Sequence, residues 1–438
     1  MKNARQLCLS ALNRMENDGG YSNIVLNALL EKSELSREDK SFATRLFYGV
    51  LEKKLLLDYN IAPLSKRPIA KLDPDILNVL RMGMYQLLFL DSVPDSAAVN
   101  ESVKLCTFTK KKSATGFVNA LLRAKLRQNN RICLPDSQSR EYKSISLSAD
   151  ESIVSLLCEQ YGEENCKQIL SAFSLEATQY IRVNTNKTTL EELASSLAKQ
   201  NIHIEPCGRA EGCAALSGAG ALSNIDAFNN GLFYVQDLAS QLCCTALNAK
   251  GARRILDVCA APGGKSFTLA LTAGSECQVV SCDVTENRVS LIKKGAERLE
   301  LKNVLPKIND ASVFSEKLGK FDRVLCDVPC SGLGVIGKKP EIRYKKIEPD
   351  ALFELQYSIL NTSANYLESG GILVYSTCTL NKRENEAVVE RFLSEHPEFS
   401  PQPLDFSQDG HYCKTFLPDS DECDGFFVAA LKKNKGRN

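Results

Sequence analysis

The sequence predicts a multidomain chain with three folded parts in series. These are an all-α helical bundle, a small α+β domain and a C-terminal α/β domain with a parallel, doubly wound sheet. Three observations carry the prediction. Residues 1–132 show helical apolar spacing and no strand-like run, 150–245 mix the two patterns, and from 246 strand-like and helical stretches alternate regularly. The length of 438 residues agrees, since roughly 150 residues per domain gives about three.

In the front domain (1–132), "GFVNALLRAKLR" places Phe117, Ala120, Leu121 and Ala124 at i, i+3, i+4 and i+7, with Asn119, Arg123 and Lys125 off that stripe. "DPDILNVLRMGMYQLLFL" opens with Asp73 as a cap and Pro74 at the first helical position, where a missing N–H costs nothing. "DSVPDSAAVNESVKLC" is a turn and then another helix start. Residues 133–149 are polar and carry a proline, the mark of a linker.

In the middle domain (150–245), "SADESIVSLLCEQYG" and "TLEELASSLAKQN" are helical, while "QYIRVNT", "IHIEPC" and "GLFYVQD" are extended. The Gly- and Ala-rich stretch 208–223 is expected to be a loop. In the last domain (246–434), strand-like "RRILDVC", "CQVVSCD", "NVLPKIND", "FDRVLCD" and "GILVYST" are interleaved with the helical runs "KSFTLALTA", "TENRVSLIKKGAERLE", "PDALFELQYSILNTSANYLES" and "RENEAVVERFLSEH". "DGFFVAAL" closes the pattern. Ligands of such sheets bind at the carboxyl ends of the strands.

Composition narrows the class. Hydrophobic residues at 44% and charged residues at 24% are those of a soluble globular protein. No apolar run approaches the roughly 20 residues of a membrane span. Charges interrupt the apolar residues of the N-terminus, so it is not a signal peptide, and a cytoplasmic protein is expected. Seventeen cysteines without a C-x-x-C pair, beside three histidines, suit neither a disulfide framework nor a zinc site. Most are read as reduced, buried, small apolar residues, and no metal is expected. Net charge is only +1, yet Lys104, Lys110, Lys111, Lys112, Arg123, Lys125, Arg127 and Arg131 fall between Val103 and Pro135 with no acid among them. Two readings stand: a docking field for a polyanion, or a solvated helix face.

Two stretches hold candidate chemistry. "DVCAAPGGKS" runs from a strand through Pro262, Gly263 and Gly264 into a helix, where glycine lets backbone approach a ligand. It fits neither a Walker loop nor the dinucleotide fingerprint. With Asp283 ending the next strand, where an acid can hold ribose hydroxyls, two readings stand, a nucleoside cofactor site or an ordinary surface turn and cap; Asp310 follows the third strand. The second feature is a pair of thiols at strand ends, Cys330 in "DVPCSGLG" and Cys378 in "GGILVYSTCTL". Methylating carbon 5 of a pyrimidine demands a nucleophile at carbon 6 and a separate proton acceptor, which two cysteines and an aspartate can supply.

"DVCAAPGGKS", "DVPCSGLG" and "VYSTCTLNKRENE" together resemble the Sun/Fmu (Nol1/Nop2/Sun) family of RNA cytosine-5 methyltransferases, and the match spans about residues 180–433. The first 130 or so residues resemble the NusB-like RNA-binding domain that the bacterial small-subunit rRNA member carries in front. The resemblance implies a Rossmann-like, S-adenosylmethionine-dependent methyltransferase domain behind a small RNA-binding domain. It implies 16S rRNA as partner, with no membrane and no obligate protein partner. By position, Cys378 matches the nucleophile and Cys330 the cysteine of product release, while Asp327 holds the target base. The related DNA enzymes use the Pro-Cys thiol as nucleophile, which makes Cys330 the tempting alternative. Cys259, Ala260, Ala261, Pro262, Gly263, Gly264 and Lys265 would wrap the cofactor. Asp283 would take its ribose, Asp310 its adenine, and Arg288 and Asp327 complete the cofactor set. Val328 departs from the commoner alanine, and a packing change is expected. The rivals are the same chemistry on tRNA or another RNA, and a non-catalytic ribosome-assembly factor.

Overall fold

Apolar spacings of three and four build the front of the chain, and apolar runs covered on both sides build the back. The computed structural model describes residues 2–18, 20–174, 178–348, 350–407 and 410–435. Contacts group the chain into two units, one holding the residues up to Ser174 with Ile336–Ile347 and the other holding the remainder.

The first unit is helical. Helices Ala4–Asp18, Arg37–Glu52, Pro74–Phe89, Asp95–Phe108 and Thr115–Leu126 share one apolar core that includes Leu9, Phe47, Val79, Leu105 and Leu122. Asp73 caps Pro74–Phe89 as expected, accepting from the backbone N–H groups of Asp75 (3.1 Å) and Ile76 (3.4 Å). Helix Thr115–Leu126 is rotated from the expected stripe. It buries Val118, Leu121, Leu122 and Lys125, leaving Phe117 and Ala124 half-buried and Ala120 exposed. Lys125 explains the difference. Its ammonium donates to Asn60 Oδ1 at 2.8 Å and to the Arg131 carbonyl at 2.6 Å, so the apolar stem packs inside.

The basic run is therefore narrower than its sequence. Lys125 is buried, Lys111 pairs with Asp73 and with Asp75 at 2.8 Å, and Lys104 pairs with Glu101 at 2.7 Å. The stretch read as linker carries the short helix Tyr142–Leu147, ahead of Glu151–Tyr161 and Glu163–Ala172. Residues Ile336–Ile347 complete this unit. Arg343, 1% exposed, donates to the carbonyls of Leu147 (3.1 Å) and Leu170 (2.9 Å). The Tyr344 hydroxyl donates to the Leu51 carbonyl at 2.6 Å.

The second unit has two sheets. Strands β1 (Gln179–Val183), β2 (His203–Pro206), β3 (Cys213–Ser217) and β4 (Phe233–Val235) pair antiparallel in the order β2-β3-β1-β4. Strand β3 lies inside the stretch expected to be a loop. Its small Cys213 and Ala214 are buried with Leu216, and Gly212 and Gly218 turn the chain in and out at φ +65° and +74°. A Cβ on Gly218 would stand 2.7 Å from the Asn201 carbonyl oxygen. Tertiary packing of small side chains made the strand where β propensity is weak.

The larger sheet holds β5 (Arg254–Asp257), β6 (Gln278–Asp283), β7 (Val304–Ile308), β8 (Phe321–Asp327), β9 (Leu367–Thr377), β10 (Phe399–Pro401), β11 (Cys413–Phe416) and β12 (Phe426–Lys433). The order is β10-β12-β9-β8-β5-β6-β7, with β11 beside β12. Strands β5 to β9 are parallel, whereas β10, β11 and β12 pair antiparallel. The sheet is thus mixed rather than parallel throughout, because β11 and β12 form an antiparallel pair that brings the closing strand back along β9. Ile255, Val279, Leu325 and Val374 enter one core and their neighbours Leu256, Val280, Val324 and Leu373 another. Both faces are covered, which is why these strands read as continuous apolar runs. The helix expected from "PDALFELQYSILNTSANYLES" is Phe353–Ala364, and Leu367 already belongs to β9. Pro349, read as that helix's first residue, lies outside the described residues, as do Met1 and Gly19 of the N-terminal stretch. The order places β6 and β7 on one side of β5 and β8 and β9 on the other, so the switch point falls at the carboxyl ends of β5 and β8.

Candidate active site

Adjacent parallel strands β8 and β9 carry the two thiols. Asp327 and Ser376 are register partners, and each strand runs straight on into its cysteine loop. Cys330 Sγ and Cys378 Sγ stand 3.2 Å apart. Backbone hydrogen bonds tie the loops together: Val328 N–H donates to the Ser376 carbonyl (3.1 Å), and Gly334 N–H to the Cys378 carbonyl (3.0 Å). Gly425 N–H in turn donates to the Gly334 carbonyl (2.8 Å). A Cβ on Gly334 would lie 1.8 Å from the Gly425 carbonyl oxygen, so only glycine admits this approach. The hydrogen bond with Cys378, burial and the nearby Glu384 carboxylate together push the Cys330 thiol well above its ordinary value.

Asp327 and Lys265 meet beside the thiol loops. Lys265 Nζ lies 2.7 Å from Asp327 Oδ2 and 5.1 Å from the centre of the Phe426 ring. Ser376 Oγ donates to the other Asp327 oxygen at 2.8 Å. Burial alone would lower the Lys265 pKa, but the Asp327 carboxylate, with the Cys243 and Cys244 thiols, raises the value overall. Val328 is 4% exposed and packs in the core behind this loop, in keeping with the larger side chain at this position.

The Gly-rich turn is held from β6. Gly263 takes φ +113°, and a Cβ there would meet the Phe267 ring at 2.4 Å. Ala261 N–H donates to Asp283 Oδ2 at 3.0 Å, while Arg288 Nε (2.7 Å) and Val284 N–H (2.9 Å) donate to Oδ1. Asp283 and Arg288 thus clasp the turn, and helix Gly264–Ala273 points its first N–H groups out of it. Asp310 lies just beyond β7, next to Asn309, whose backbone N–H donates to the Asp283 carbonyl at 3.0 Å. Asp310 is exposed, and hydrogen bonds from the Ser312 side chain and backbone hold its carboxyl below the usual value.

The family model described as 16S rRNA methyltransferase RsmB/F matches residues 244–432. A probable ribosomal RNA small subunit methyltransferase B of Bacillus subtilis (strain 168) is 34% identical, over 98% of both chains. The chain belongs to the RsmB/F family of rRNA methyltransferases. The corresponding probable enzyme of Synechocystis sp. (strain ATCC 27184 / PCC 6803 / Kazusa) is 33% identical over 99% of this chain and all of that one. A NusB family model matches 2–127, and an RsmF/B-like ferredoxin-like domain matches 151–223. The crystal structure of PH0851 covers 98% of each chain with a TM-score of 0.85 at 25% identity.

Several polar residues of this RsmB/F-family site escaped the sequence reading. Asp257, fully buried at the end of β5, accepts from Ser266 Oγ at 2.7 Å, while its other oxygen finds no protein partner. Gln236 is buried with its Nε2 unpartnered, near Gly264, and its oxygen accepts from Thr268 Oγ1 at 2.6 Å. Both were visible only as letters in or near the motifs: Asp257 opens "DVCAAPGGKS", and Gln236 sits in "FYVQDLASQL". Glu384, 2% exposed, lies in "TLNKRENE" beyond Cys378. Asn184, by contrast, is structural. Asn184 Nδ2 donates to the carbonyls of Gly231 and Leu299, both at 2.9 Å, while its Oδ1 accepts from the Asn186 N–H at 3.3 Å to close a turn, and Arg182 is buried. Among the described residues no group of three or more His, Cys, Asp or Glu is placed to hold a metal ion, and no helix is long and apolar enough to cross a membrane.

Proposed function

We propose that this RsmB/F-family enzyme methylates carbon 5 of a cytosine in 16S, small-subunit rRNA, through a covalent bond from Cys378 to carbon 6. The observation that carries the reading is the 3.2 Å approach of two thiols at the ends of adjacent strands, next to the Asp327–Lys265 pair. Carbon 5 of a pyrimidine is too electron-poor to take a methyl unaided, and addition of a thiolate at carbon 6 makes it nucleophilic. The raised pKa of Cys330 supports this division of labour: the thiol that is harder to ionise is the less suited to open the attack, which falls to Cys378. Cys330 serves the second half: once Cys378 is bonded to carbon 6 and no longer raises the Cys330 pKa, Cys330 gives its proton to solvent, its thiolate takes the proton from carbon 5, and the electron pair of that C–H bond expels Cys378 from carbon 6 as a thiolate. Asp327 holds the polar edge of the cytosine, where an unpaired buried group would be costly.

The residues present fit S-adenosylmethionine as the methyl donor. A buried, unpartnered Gln236 donor lies at the turn, Gly263 leaves room no side chain could share, and a helix N-terminus faces outward. When bound, the cofactor supplies an electrophilic methyl group on a sulfonium. Cys259 to Lys265 would wrap it, with Asp283 and Arg288 at its ribose and Asp310 at its adenine. The functional division runs 1–132 for the NusB-like domain, 133–149 for a linker, 150–245 for the small RNA-binding domain and 246–434 for the methyltransferase domain, and the enzyme works in the cytoplasm. Extracting the base from its stack costs a few kcal/mol, least in a loop, and contacts from the front domains offset it.

The test is a denaturing-gel shift for protein joined to under-modified small-subunit rRNA in the presence of S-adenosylmethionine. Cys330→Ala is expected to accumulate the adduct and Cys378→Ala to form none. The reverse pattern would make Cys330 the nucleophile. Absence of adduct with both variants, on protein that still binds the RNA, would move the activity to another substrate.

A further inference from the structure

Cys330 is held by groups that the chemistry above does not use. The peptide on each side of it is fastened to the same buried pair. Gln356 Nε2 donates to the Pro329 carbonyl at 2.9 Å, and the Ser331 N–H donates to Glu384 Oε2 at 2.9 Å. Gln356 Nε2 also donates to Glu384 Oε2 at 2.9 Å, which joins the two fastenings into one. Ser331 Oγ donates to Glu384 Oε1 at 2.6 Å and lies 2.7 Å from Thr379 Oγ1, the side chain next after Cys378. Asn381 Nδ2 fills the remaining site on Glu384 Oε1 at 3.0 Å.

A carboxylate accepts hydrogen bonds without donating any, and here four donors converge on its two oxygens, two to each. Glu384 and Gln356 are 2% and 0% exposed, and Thr379 and Asn381 are fully buried. The whole assembly therefore acts in a low-dielectric interior, where satisfied networks rigidify their surroundings. It connects the loop carrying Cys330 to the loop carrying Cys378, across the ends of β8 and β9. We propose that Glu384, with Gln356, is a positioning residue that sets Cys330 for the release half of the reaction. The proposal rests on the assignment of attack to Cys378 and release to Cys330. A misplaced Cys330 should leave attack by Cys378 largely intact and impair the release half, because Cys378 follows directly on β9, which the ladders to β8 and β12 hold, whereas both peptides flanking Cys330 hang on Glu384 and Gln356.

The experiment uses the full-length protein, under-modified small-subunit rRNA and S-adenosylmethionine. It compares Cys330→Ala, Cys378→Ala, Glu384→Ala, Glu384→Gln and Gln356→Leu, with thermal melts alongside. Glu384→Ala is expected to trap covalent adduct as Cys330→Ala does, with turnover down at least about tenfold and KM for RNA within about twofold. Glu384→Gln, which keeps the size and one acceptor, should recover part of the turnover and trap less. If Glu384→Ala does not fold, Gln356→Leu carries the same expectation. The positioning role is overturned if Cys330→Ala traps adduct while the folded Glu384 and Gln356 variants do not. If Cys330→Ala itself fails to trap, the assignment of roles falls and this proposal falls with it.

Discussion

Asp257 shows what one buried acid does to the behaviour of the whole. Burial raises its pKa from 3.8 to about 7; the charges of Asp327 and Asp283 add to the rise, while the Ser266 hydrogen bond and Lys265 oppose it. The folded protein then binds a proton that the unfolded chain has already lost between these two values. Stability from this group is complete below 3.8, falls as pH rises and is gone above about 7, a change of a few kcal/mol. Melting of the wild type should therefore drop between roughly pH 5.5 and pH 8 by more than that of Asp257→Asn, which has no proton to lose. Equal slopes by calorimetry would mean that Asp257 titrates normally. The sequence reading passed over the position, because its protonation comes from a burial that no local pattern reveals. Lys125 teaches the same lesson with opposite charge. Its letter marks a surface, and only the acceptors Asn60 and Arg131 make an interior position tolerable.

Among elements, the two loops beyond β8 and β9 matter most, because they touch backbone to backbone. Gly334 donates to the Cys378 carbonyl and accepts from Gly425, with no space for a methyl group. Gly334→Ala must push these segments apart, and displacement by even about 1 Å at a reacting group costs on the order of a hundredfold in rate. We expect methyl transfer by Gly334→Ala to fall by about that factor, measured as turnover of radiolabelled methyl groups, with RNA binding near wild type. Wild-type turnover would show that the loops relax without moving the thiols. The elements themselves were largely visible, since period and turn chemistry are local: Asp73 and Pro74 open their helix where they should. Strand β3 was not visible, because Cys213, Ala214 and Ala215 become a strand only between β1 and β2.

For the molecule as a whole, a net charge of +1 leaves RNA affinity to local fields. Lys110, Lys112, Arg123, Arg127 and Arg131 remain available on the helical unit, whereas Lys104 and Lys111 are paired with acids and Lys125 is buried. Affinity for small-subunit rRNA should fall about five-hundredfold between roughly 50 and 200 mM salt, the loss expected of about five phosphate contacts. Replacing those five by Gln should flatten the salt dependence, while replacing Lys104 and Lys111 should change it little. A filter-binding titration across salt would separate the two sets, and equal effects would assign the charge to another surface. By itself the sequence determined the helical front, the alternating back and the motifs at strand ends, because periodicity and contiguous motifs are properties of near neighbours. Only tertiary structure decided the meeting of Cys330 with Cys378, the Glu384 network, the burial of Lys125 and the place of Arg343 in the helical unit. Each of these depends on partners far away along the chain, and their distances are set by packing that no window of sequence contains.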